Sequence, residues 1–234
     1  PDTAMVLLEP IQGEAGVVSP PQGYLAAARE ITSEAGALLV LDEIQTGIGR
    51  TGAWFAHQLD GVVPDAITVA KGIGGGFPIG ALITFGAASE LFYPGTHGST
   101  FGGNALATAV STAVLGEIER AGLVENAAVR GDQLREAIDA IGSSLVDGCR
   151  GRGLLIGVSL RHPVAGAVVT GIPGAVRSRG VALDEVFGYP EGYGRLGLDL
   201  AAEIERIMVE GDFVHLGGEN EDNRETAATQ QPTR

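Results

Sequence analysis

One lysine stands where a run of apolar residues meets a glycine-rich segment. Lys71 follows the run 66–70, and the nine positions after it hold five glycines and Pro78. A lysine between a buried strand and such a turn can lose enough solvation to favour its neutral, nucleophilic form, and glycines let a bulky ligand approach the backbone. A lysine at a strand end is usually a surface residue, but these glycines are hard to explain as packing. The pattern therefore predicts a nucleophilic amine at Lys71.

Two carboxylates and an amide follow another apolar run, residues 37–41. Asp42, Glu43 and Gln45 come where this predicted strand runs out into a loop, which is where ligands bind in open α/β sheets. Taken alone, the two carboxylates are equally well explained as groups that solvate a strand end. Lys71, at the end of the next predicted strand, favours a ligand site.

A second glycine pattern between these segments indicates a different class of site. Gly47, Gly49 and Gly52 match the G-x-G-x-x-G fingerprint of dinucleotide-binding proteins, and they follow a predicted strand. That fingerprint should open a long helix, whereas turn residues at 60–64 soon interrupt the chain here. A dinucleotide site would also leave Lys71 unexplained, so we disfavour it.

The elements that position these residues are predicted from four short apolar runs. The runs are continuous rather than alternating, which is typical of strands buried on both faces and predicts a parallel α/β sheet. They cover residues 5–8, 37–41, 66–70 and 79–85.

Helices and a second, smaller domain complete the predicted architecture. Prolines at 20–21 suit a helix start and Gly36 a helix end, and the apolar face between them comprises Leu25, Ala28, Ile31 and Ala35. Residues 104–121 and 123–141 are predicted as two longer helices, and 153–160 as a strand of the second domain. The polar segment 217–234 is predicted to be a disordered tail.

The composition excludes several classes of function. The 234 residues carry 15 Lys and Arg against 29 Asp and Glu, and the formal charge of −14 repels nucleic-acid phosphates. The single cysteine, Cys149, allows neither an intrachain disulfide nor a thiolate zinc cluster. No apolar run reaches the ~18–20 residues of a membrane span, and no signal-like segment is present. We expect a cytoplasmic enzyme, and we interpret the start at Pro1, close to the first predicted strand, as a truncation.

Four segments of the sequence, two of which contain these residues, resemble a known family in their order and spacing. They are residues 9–14 (EPIQGE), 41–52 (LDEIQTGIGRTG), 70–72 (AKG) with the glycines that follow, and 97–104 (HGSTFGGN). Over residues 1 to about 160 the chain thereby resembles the class III aminotransferases, which depend on pyridoxal 5′-phosphate, and it is most similar to their acetylornithine branch. The resemblance implies an α/β fold-type I transferase. Residues 1–121 would be the C-terminal part of the large, mainly parallel cofactor-binding domain, and 122–216 a small α+β domain that is atypical after about 160.

The resemblance also implies roles for the matching positions. Lys71 would hold the cofactor as an imine and, once displaced by substrate, would move the proton as general base and acid. Asp42 would pair with the pyridine nitrogen, and Gln45 would hydrogen-bond the phenolic oxygen. Glu43 and Ile44 would complete the cofactor site.

Other residues of the resemblance imply a homodimer with shared sites. Thr100 would bind the cofactor phosphate of the neighbouring subunit, and Ser99 would lie beside the substrate. Glu14 would pair with an arginine while the amino donor is bound and would release it for a dicarboxylate. We expect His57 and His97 to be structural.

The implied reaction moves the amino group of N-acetylornithine to 2-oxoglutarate, as in arginine biosynthesis. Ornithine, succinylornithine and 4-aminobutyrate transaminases share the same motifs and stay open as alternatives, as does a catalytically silent fragment that pairs with an intact subunit. The family's phosphate loop, its stacking aromatic residue and its substrate-carboxylate arginine have no counterpart in this sequence. Arg195 is the nearest approximation to the arginine that should face Glu14.

Overall fold

The computed structural model describes residues 2–161, whose strands form two separate sheets. The first sheet comprises β1 (Met5–Leu8), β2 (Leu38–Asp42), β3 (Ala66–Val69) and β4 (Ala81–Thr84), adjacent in that order. β1, β2 and β3 are parallel, whereas β4 returns antiparallel to β3. The mainly parallel sheet that the apolar runs predict is therefore confirmed.

The edge strands of this sheet are not buried on both faces, and here the prediction was wrong. Leu39, Leu41 and Ile67 of the central strands are fully buried, but Met5 and Leu7 of β1 are 52% and 53% exposed. Among the described residues, only β2 pairs with β1. A continuous apolar run identifies a strand, but its neighbours in the sheet decide how far it is covered.

Helix α1 (Tyr24–Ala35) covers one face of the sheet and ends at Gly36, as expected. Its buried residues are Leu25 and Thr32, whereas Ile31 is 64% exposed, so the predicted apolar face was wrong at Ile31. The Thr32 hydroxyl donates to the Ala28 carbonyl at 2.8 Å. Because this bond satisfies the hydroxyl inside the helix, a polar residue can occupy the buried face.

Asp65, one residue before β3, fastens α1 to the sheet. Its Oδ2 accepts hydrogen bonds from Arg29 Nη1 and from the Leu39 N–H, both at 2.7 Å. Helix, β2 and β3 are thus joined at the amino end of the sheet. Beneath them lies the core, which comprises Leu25, Leu39, Leu41, Val62, Ile67 and Val69.

Two longer helices lead to the second sheet. They are α2 (Ala105–Arg120) and α3 (Leu123–Ala140), close to the predicted bounds, and the hairpin β5 (Val146–Arg152) and β6 (Leu155–Leu160) follows. β6 matches the predicted strand, but β5 was missed because its sequence, VDGCRGR, has no apolar run. Ile138 of α3 packs on the hairpin and centres a separate small core.

The second sheet meets the first part of the chain through backbone contacts at glycines. A Cβ on Gly131 of α3 would lie 2.1 Å from the Gly153 carbonyl oxygen, and one on Gly153 would lie 2.5 Å from the carbonyl carbon of Thr51. The next N–H, of Leu154, donates to the Arg50 carbonyl at 2.9 Å. Three chain segments cross here at a distance that only glycine permits.

Within residues 2–161, no helix combines the length and apolarity that crossing a bilayer requires. The remainder of the predicted small domain, the predicted tail at 217–234 and the candidate Arg195 lie outside the described residues.

Candidate active site at the carboxyl ends of two strands

The ends of β2 and β3 bring together the two residues with the strongest chemical signal. Asp42 is the last residue of β2 and pairs with Thr68 of β3 in the ladder. Thr68 in turn lies three residues before Lys71 in the sequence. The side chain of Asp42 is half-buried, and its Oδ1 accepts the Ile44 N–H at 2.9 Å. A carboxylate and an amine therefore leave neighbouring strands at the same edge of the sheet.

Lys71 is the only lysine among the 234 residues, and it has an unusual backbone conformation. Its φ of 47° lies in the left-handed region, which costs a residue with a side chain roughly 1–2 kcal/mol. Strain of this kind clusters at functional sites. The side chain is exposed, so the expected desolvation of Lys71 was wrong for the chain by itself: no described element covers the amine.

The glycines after Lys71 are explained mainly by packing, which corrects the sequence interpretation. A Cβ on Gly72 would lie 3.1 Å from Ile48, one on Gly74 would lie 2.9 Å from Ile79, and one on Gly75 would lie 2.8 Å from Val114 of α2. Gly75 also has a φ of +54°. The turn is glycine-rich because the loop after β2 and helix α2 press directly on its backbone.

The glycines at 47–52 are likewise explained by packing against a helix and not by the binding of a dinucleotide. Gly49 and Gly52 have φ near +85° and pack against Val124 and Ala128 of α3. The segment is followed by a short 3₁₀ turn, Ala56–Asp60, and not by a long helix. The geometry agrees with the rejection of the dinucleotide site.

Glu43 points into the protein, and its carboxylate bonds only neighbouring groups of the chain among the described residues. It is 0% exposed, and its carboxylate accepts hydrogen bonds from the Thr46 hydroxyl, from the Ala56 N–H at 3.0 Å, and from the His57 N–H at 2.9 Å. His57 Nδ1 lies 2.9 Å from the same carboxylate. A cofactor-binding role for Glu43 stays untested, but every contact of this carboxylate serves to hold the loop that presents Asp42 and Gln45.

Burial raises the pKa of Glu43, because a charged carboxylate loses its solvation. The hydrogen bonds from the side chains of His57 and Thr46 and from the backbone of His57 and Ala56 outweigh this effect, so the net pKa lies below its ordinary value. His57 is buried and stacks on Phe55 with ring centroids 5.7 Å apart. This position fits the structural role expected for His57.

Glu14 and Gln45 are brought into direct contact. Gln45 Nε2 donates to Glu14 Oε1 at 3.1 Å. Gly13 permits this approach, because a Cβ at that position would lie 2.5 Å from the Gln45 side chain. Glu9 Oε2 accepts the Gly13 N–H at 2.9 Å and fixes the loop from the other side. Two sequence-predicted site residues thus share one hydrogen bond.

Ser99 and Thr100 are not joined to this cluster by any hydrogen bond among residues 2–161. Both are exposed, and Ser99 Oγ accepts the Gly102 N–H at 3.0 Å inside its own loop. Asn104 then caps α2, since its Oδ1 accepts the Ala107 N–H at 2.9 Å. The roles of Ser99 and Thr100 stay predictions.

Thr68 is a candidate that sequence reasoning missed. Its Oγ1 is buried without a hydrogen-bond partner among the described residues, although most buried hydroxyls have one. Because Thr68 and Asp42 are ladder partners, their side chains leave the sheet on the same face. Its position three residues before Lys71 was the feature of the sequence that could have identified it.

Asp42 also helps to line a cavity of about 380 Å³ at the ends of β1 and β2, together with Leu7, Leu8, Glu9, Gln12, Val18, Pro20 and Tyr24.

Comparisons with a family model and with curated proteins identify the same family. Residues 1–187 match the family model described as aminotransferase class III. The acetylornithine aminotransferase of Mycobacterium tuberculosis (strain H37Rv) is 61% identical over 163 residues, which cover 70% of this chain and 41% of that protein. The enzyme of the same name from Streptomyces coelicolor is 55% identical over 168 residues, covering 71% and 42%. The chain thus spans about two fifths of the length of these curated relatives.

Solved structures agree with this result. The acetylornithine aminotransferase from Elizabethkingia anophelis superposes with a TM-score of 0.70 at 32% identity, covering 88% of this chain and 56% of that one. The Plasmodium falciparum ornithine delta-aminotransferase superposes with a TM-score of 0.66 at 33% identity, covering 73% and 46%. The family match, the strand-end geometry and the shared fold lead to one conclusion: the chain belongs to the class III aminotransferases.

Proposed function

We propose that the protein acts as a pyridoxal-phosphate-dependent transaminase that moves the amino group of N-acetylornithine to 2-oxoglutarate. The observation that carries this proposal is the placement of Asp42 and Lys71 at the carboxyl ends of adjacent parallel strands. Lys71 is, in addition, the only lysine of the chain. The substrate assignment is supported by curated relatives named acetylornithine aminotransferase at 49–61% identity.

The residues present fit pyridoxal 5′-phosphate. A carboxylate, Asp42, suits a protonated pyridine nitrogen, and the lone amine, Lys71, suits the aldehyde. The amide of Gln45 has a second N–H beyond the one given to Glu14, and this N–H suits a phenolic oxygen. The unpaired Thr68 hydroxyl supports the fit, because it leaves a polar atom unsatisfied on the face of Asp42. When bound, this cofactor supplies an electron sink for the carbanion that forms as the substrate loses a proton.

Lys71 would do two tasks in turn. Its amine would first hold the cofactor covalently. Once an amino substrate has displaced it, the free amine would take up a proton and return it as general base and acid. The exposed position and strained backbone of Lys71 are consistent with an amine that must move between these tasks.

The neighbouring residues would hold the reacting groups in place. Asp42 is oriented by the Ile44 N–H. The loop behind it is fixed by the buried Glu43, whose oxygens bind the chain at Thr46, Ala56 and His57. A preorganised carboxylate of this kind needs no rearrangement when charge develops nearby.

Glu14 would act on the substrate side. Its carboxylate is exposed and accepts a hydrogen bond from Gln45, the residue that would also bond the phenolic oxygen. A negative charge there would attract a cationic amino donor and repel the second carboxylate of a dicarboxylate acceptor. Substrate discrimination would therefore depend on where Glu14 stands.

We include a homodimer with shared sites in the proposal. Apolar side chains lie before and after Thr100 in the sequence and are exposed in the single chain, and Phe101 is 80% exposed. Exposed apolar groups in a cluster are typical of protein interfaces. The cluster comprises Leu91, Phe92, Tyr93, Phe101 and Leu106. A partner covering it would bring Thr100 to the cofactor phosphate of the other subunit.

Borohydride reduction of protein incubated with pyridoxal 5′-phosphate tests the assignment of Lys71. We expect one equivalent of cofactor fixed on the peptide that contains Lys71, and none on that peptide in Lys71→Arg. The sequence makes the result clear, because these 234 residues contain no other lysine. Absence of label from the peptide that contains Lys71 would overturn the proposal, and would favour a silent chain that only pairs with an intact subunit.

Ornithine is the second candidate donor, since several superposed structures are named ornithine aminotransferases. Turnover with N-acetylornithine and with ornithine, each at a fixed concentration of 2-oxoglutarate, separates the two. A higher kcat/KM for ornithine would replace the proposed donor without affecting the assignment of Lys71.

A further inference from the structure

The loop that carries Glu14 contains a strained segment. Its ends are joined by a bridge between Gln12 and Val18, and the turn is closed by the Gly16 N–H donating to the Gly13 carbonyl at 3.0 Å. Gly16 has a φ of 101° and Val17 a φ of 57°. For a β-branched residue such as Val17, a left-handed conformation is an outlier that costs roughly 1–3 kcal/mol. The surrounding structure must therefore hold it.

The β5–β6 hairpin provides this hold. Arg150 Nε donates to the Gly16 carbonyl at 2.6 Å, and Arg150 Nη1 also bonds the Ser159 hydroxyl. Val17 enters a hollow formed by two glycines of the hairpin. A Cβ on Gly151 would lie 2.8 Å from Val17, and one on Gly157 would lie 3.0 Å from it. The donor holds Gly16 and the matching hollow holds the strained Val17.

The other end of the same loop is placed against the candidate active site. Glu14 lies two residues before Gly16 and accepts the hydrogen bond from Gln45. Gly13 packs closely on Gln45, because a Cβ there would lie 2.5 Å from the Gln45 side chain. Because Glu14 lies inside the short loop closed by the bridge between Gln12 and Val18, we expect a shift of Gly16 and Val17 to move Glu14 as well.

We propose that Arg150 is a positioning residue that, through the Gly16 carbonyl, sets the Glu14 carboxylate against Gln45 and so sets the discrimination between amino donor and dicarboxylate acceptor. This inference rests on the proposed function, since discrimination has meaning only in a transaminase. Arg150 does not contact the reacting groups. It acts from the hairpin across 134 residues of sequence.

Steady-state kinetics with both substrates varied test the inference. In Arg150→Ala, Glu14 is free to move away, so the acceptor's second carboxylate is repelled less. We expect the ratio of KM for 2-oxoglutarate to KM for the donor to fall by about fivefold or more, and kcat to change by less than about threefold. Arg150→Lys keeps the charge and one donor and should restore at least half of this effect on a logarithmic scale.

Two further variants make the experiment specific. Arg161→Ala removes an exposed arginine at the end of the same hairpin, which pairs with Asp147, and should leave the ratio unchanged. Ser159→Ala removes only the second partner of Arg150 and should shift the ratio in the same direction by about twofold. This mild change keeps the test available if Arg150→Ala fails to fold.

A double-mutant cycle decides whether Arg150 acts through Glu14. Glu14→Gln alone should lower the KM ratio, because it removes the repelling charge. Adding Arg150→Ala to Glu14→Gln should then change the ratio by less than about twofold, since coupled residues are not additive. Equal effects of Arg150→Ala in both backgrounds, or an unchanged ratio in the single variant, would overturn the inference.

Borohydride labelling separates this inference from the proposed function. Wild type and Arg150→Ala should label Lys71 equally. If wild type does not label, the proposed function fails. If wild type is labelled at Lys71 and turns over, but Arg150→Ala leaves the KM ratio unchanged, only the present inference fails.

Discussion

Gln45 Nε2 donates to Glu14 Oε1 over 3.1 Å, and this bond joins the loop after β1 to the loop after β2 across 31 residues of sequence. The resemblance assigns the two residues to different tasks, Gln45 to the cofactor and Glu14 to the substrate. Because one hydrogen bond joins them, a change in one alters the environment of the other. Variants at these two positions are best interpreted as pairs.

Replacing Asp42 with Asn should lower turnover while preserving the fold. Asn keeps the oxygen that accepts the Ile44 N–H but removes the charge that would stabilise a protonated pyridine. Loss of such a pair costs several kcal/mol, so we expect kcat to fall by about 10²–10⁴-fold. Thermal denaturation should give a midpoint close to that of wild type. Unchanged turnover would place the cofactor ring away from Asp42.

Removing the Lys71 amine with and without its Cβ should give variants of different stability. Lys71→Gly relieves the strain of a φ of 47°, whereas Lys71→Ala retains it. We expect Lys71→Gly to be the more stable of the two by about 1 kcal/mol in urea denaturation. Both should fail to bind the cofactor covalently. A more stable alanine variant would contradict the left-handed conformation at this position.

Glu43→Gln should destabilise the protein in a pH-dependent way. The amide offers one acceptor to several buried donors, so we expect a loss of about 2–4 kcal/mol at pH 7. The pKa of Glu43 is lowered in the folded state, so its stabilisation is present above the unfolded pKa of about 4.3 and is lost as the pH falls through the folded pKa.

Urea denaturation at pH 7 and pH 3.5 should therefore show a difference between wild type and Glu43→Gln that shrinks in acid. Glu117→Gln is the control, because Glu117 forms an ion pair with the exposed Arg120 within one helix and should matter little. A difference that stays constant with pH would show that Glu43 is not ionised in the folded protein.

Two glycine-to-alanine changes in helices should have opposite effects. Gly116 of α2 has open space around it, so Gly116→Ala should stabilise by up to about 1 kcal/mol through helix propensity. Gly131 of α3 lies against the Gly153 carbonyl, so Gly131→Ala should destabilise by more than about 2 kcal/mol despite the same propensity. Thermal denaturation midpoints of the two variants test this contrast. A higher midpoint for Gly131→Ala than for wild type would contradict the contact between α3 and Gly153.

A mixed dimer tests whether sites are shared between subunits. One subunit carries Lys71→Ala and the other Thr100→Ala, so that one site collects both defects and the other collects none. Two-fold symmetry then allows recovery of up to about half of the wild-type activity per dimer. Each parent homodimer provides the baseline. No recovery in verified heterodimers would mean that each chain binds its cofactor alone.

The placement of Asp42 and Lys71 at neighbouring strand ends was predictable, because both residues are marked locally by the ends of apolar runs. The burial of Glu43 was also indicated by the sequence, because neighbours in an extended chain point to opposite sides, so that Asp42 and Glu43 face different ways.

Long-range contacts were beyond local reasoning. The bond from Arg150 to Gly16 spans 134 residues, and β5 lacks the apolar run that would have revealed it. The glycines after Lys71 were misjudged for the same reason, since Val114 presses on Gly75 from a helix that begins at residue 105. Each of these features depends on which segment arrives as a neighbour.

The mixed direction of the strands has a consequence for the order of folding. β3 and β4 form a local antiparallel pair closed by residues 70–80, so Lys71 is set in its turn by contacts close in sequence. β2 joins β3 in parallel and must first close the longer segment 43–65, and non-local pairing of this kind is slow. We expect the lysine turn to form before Asp42 arrives beside it, so that the two groups come together only when this slower, non-local pairing of the sheet forms.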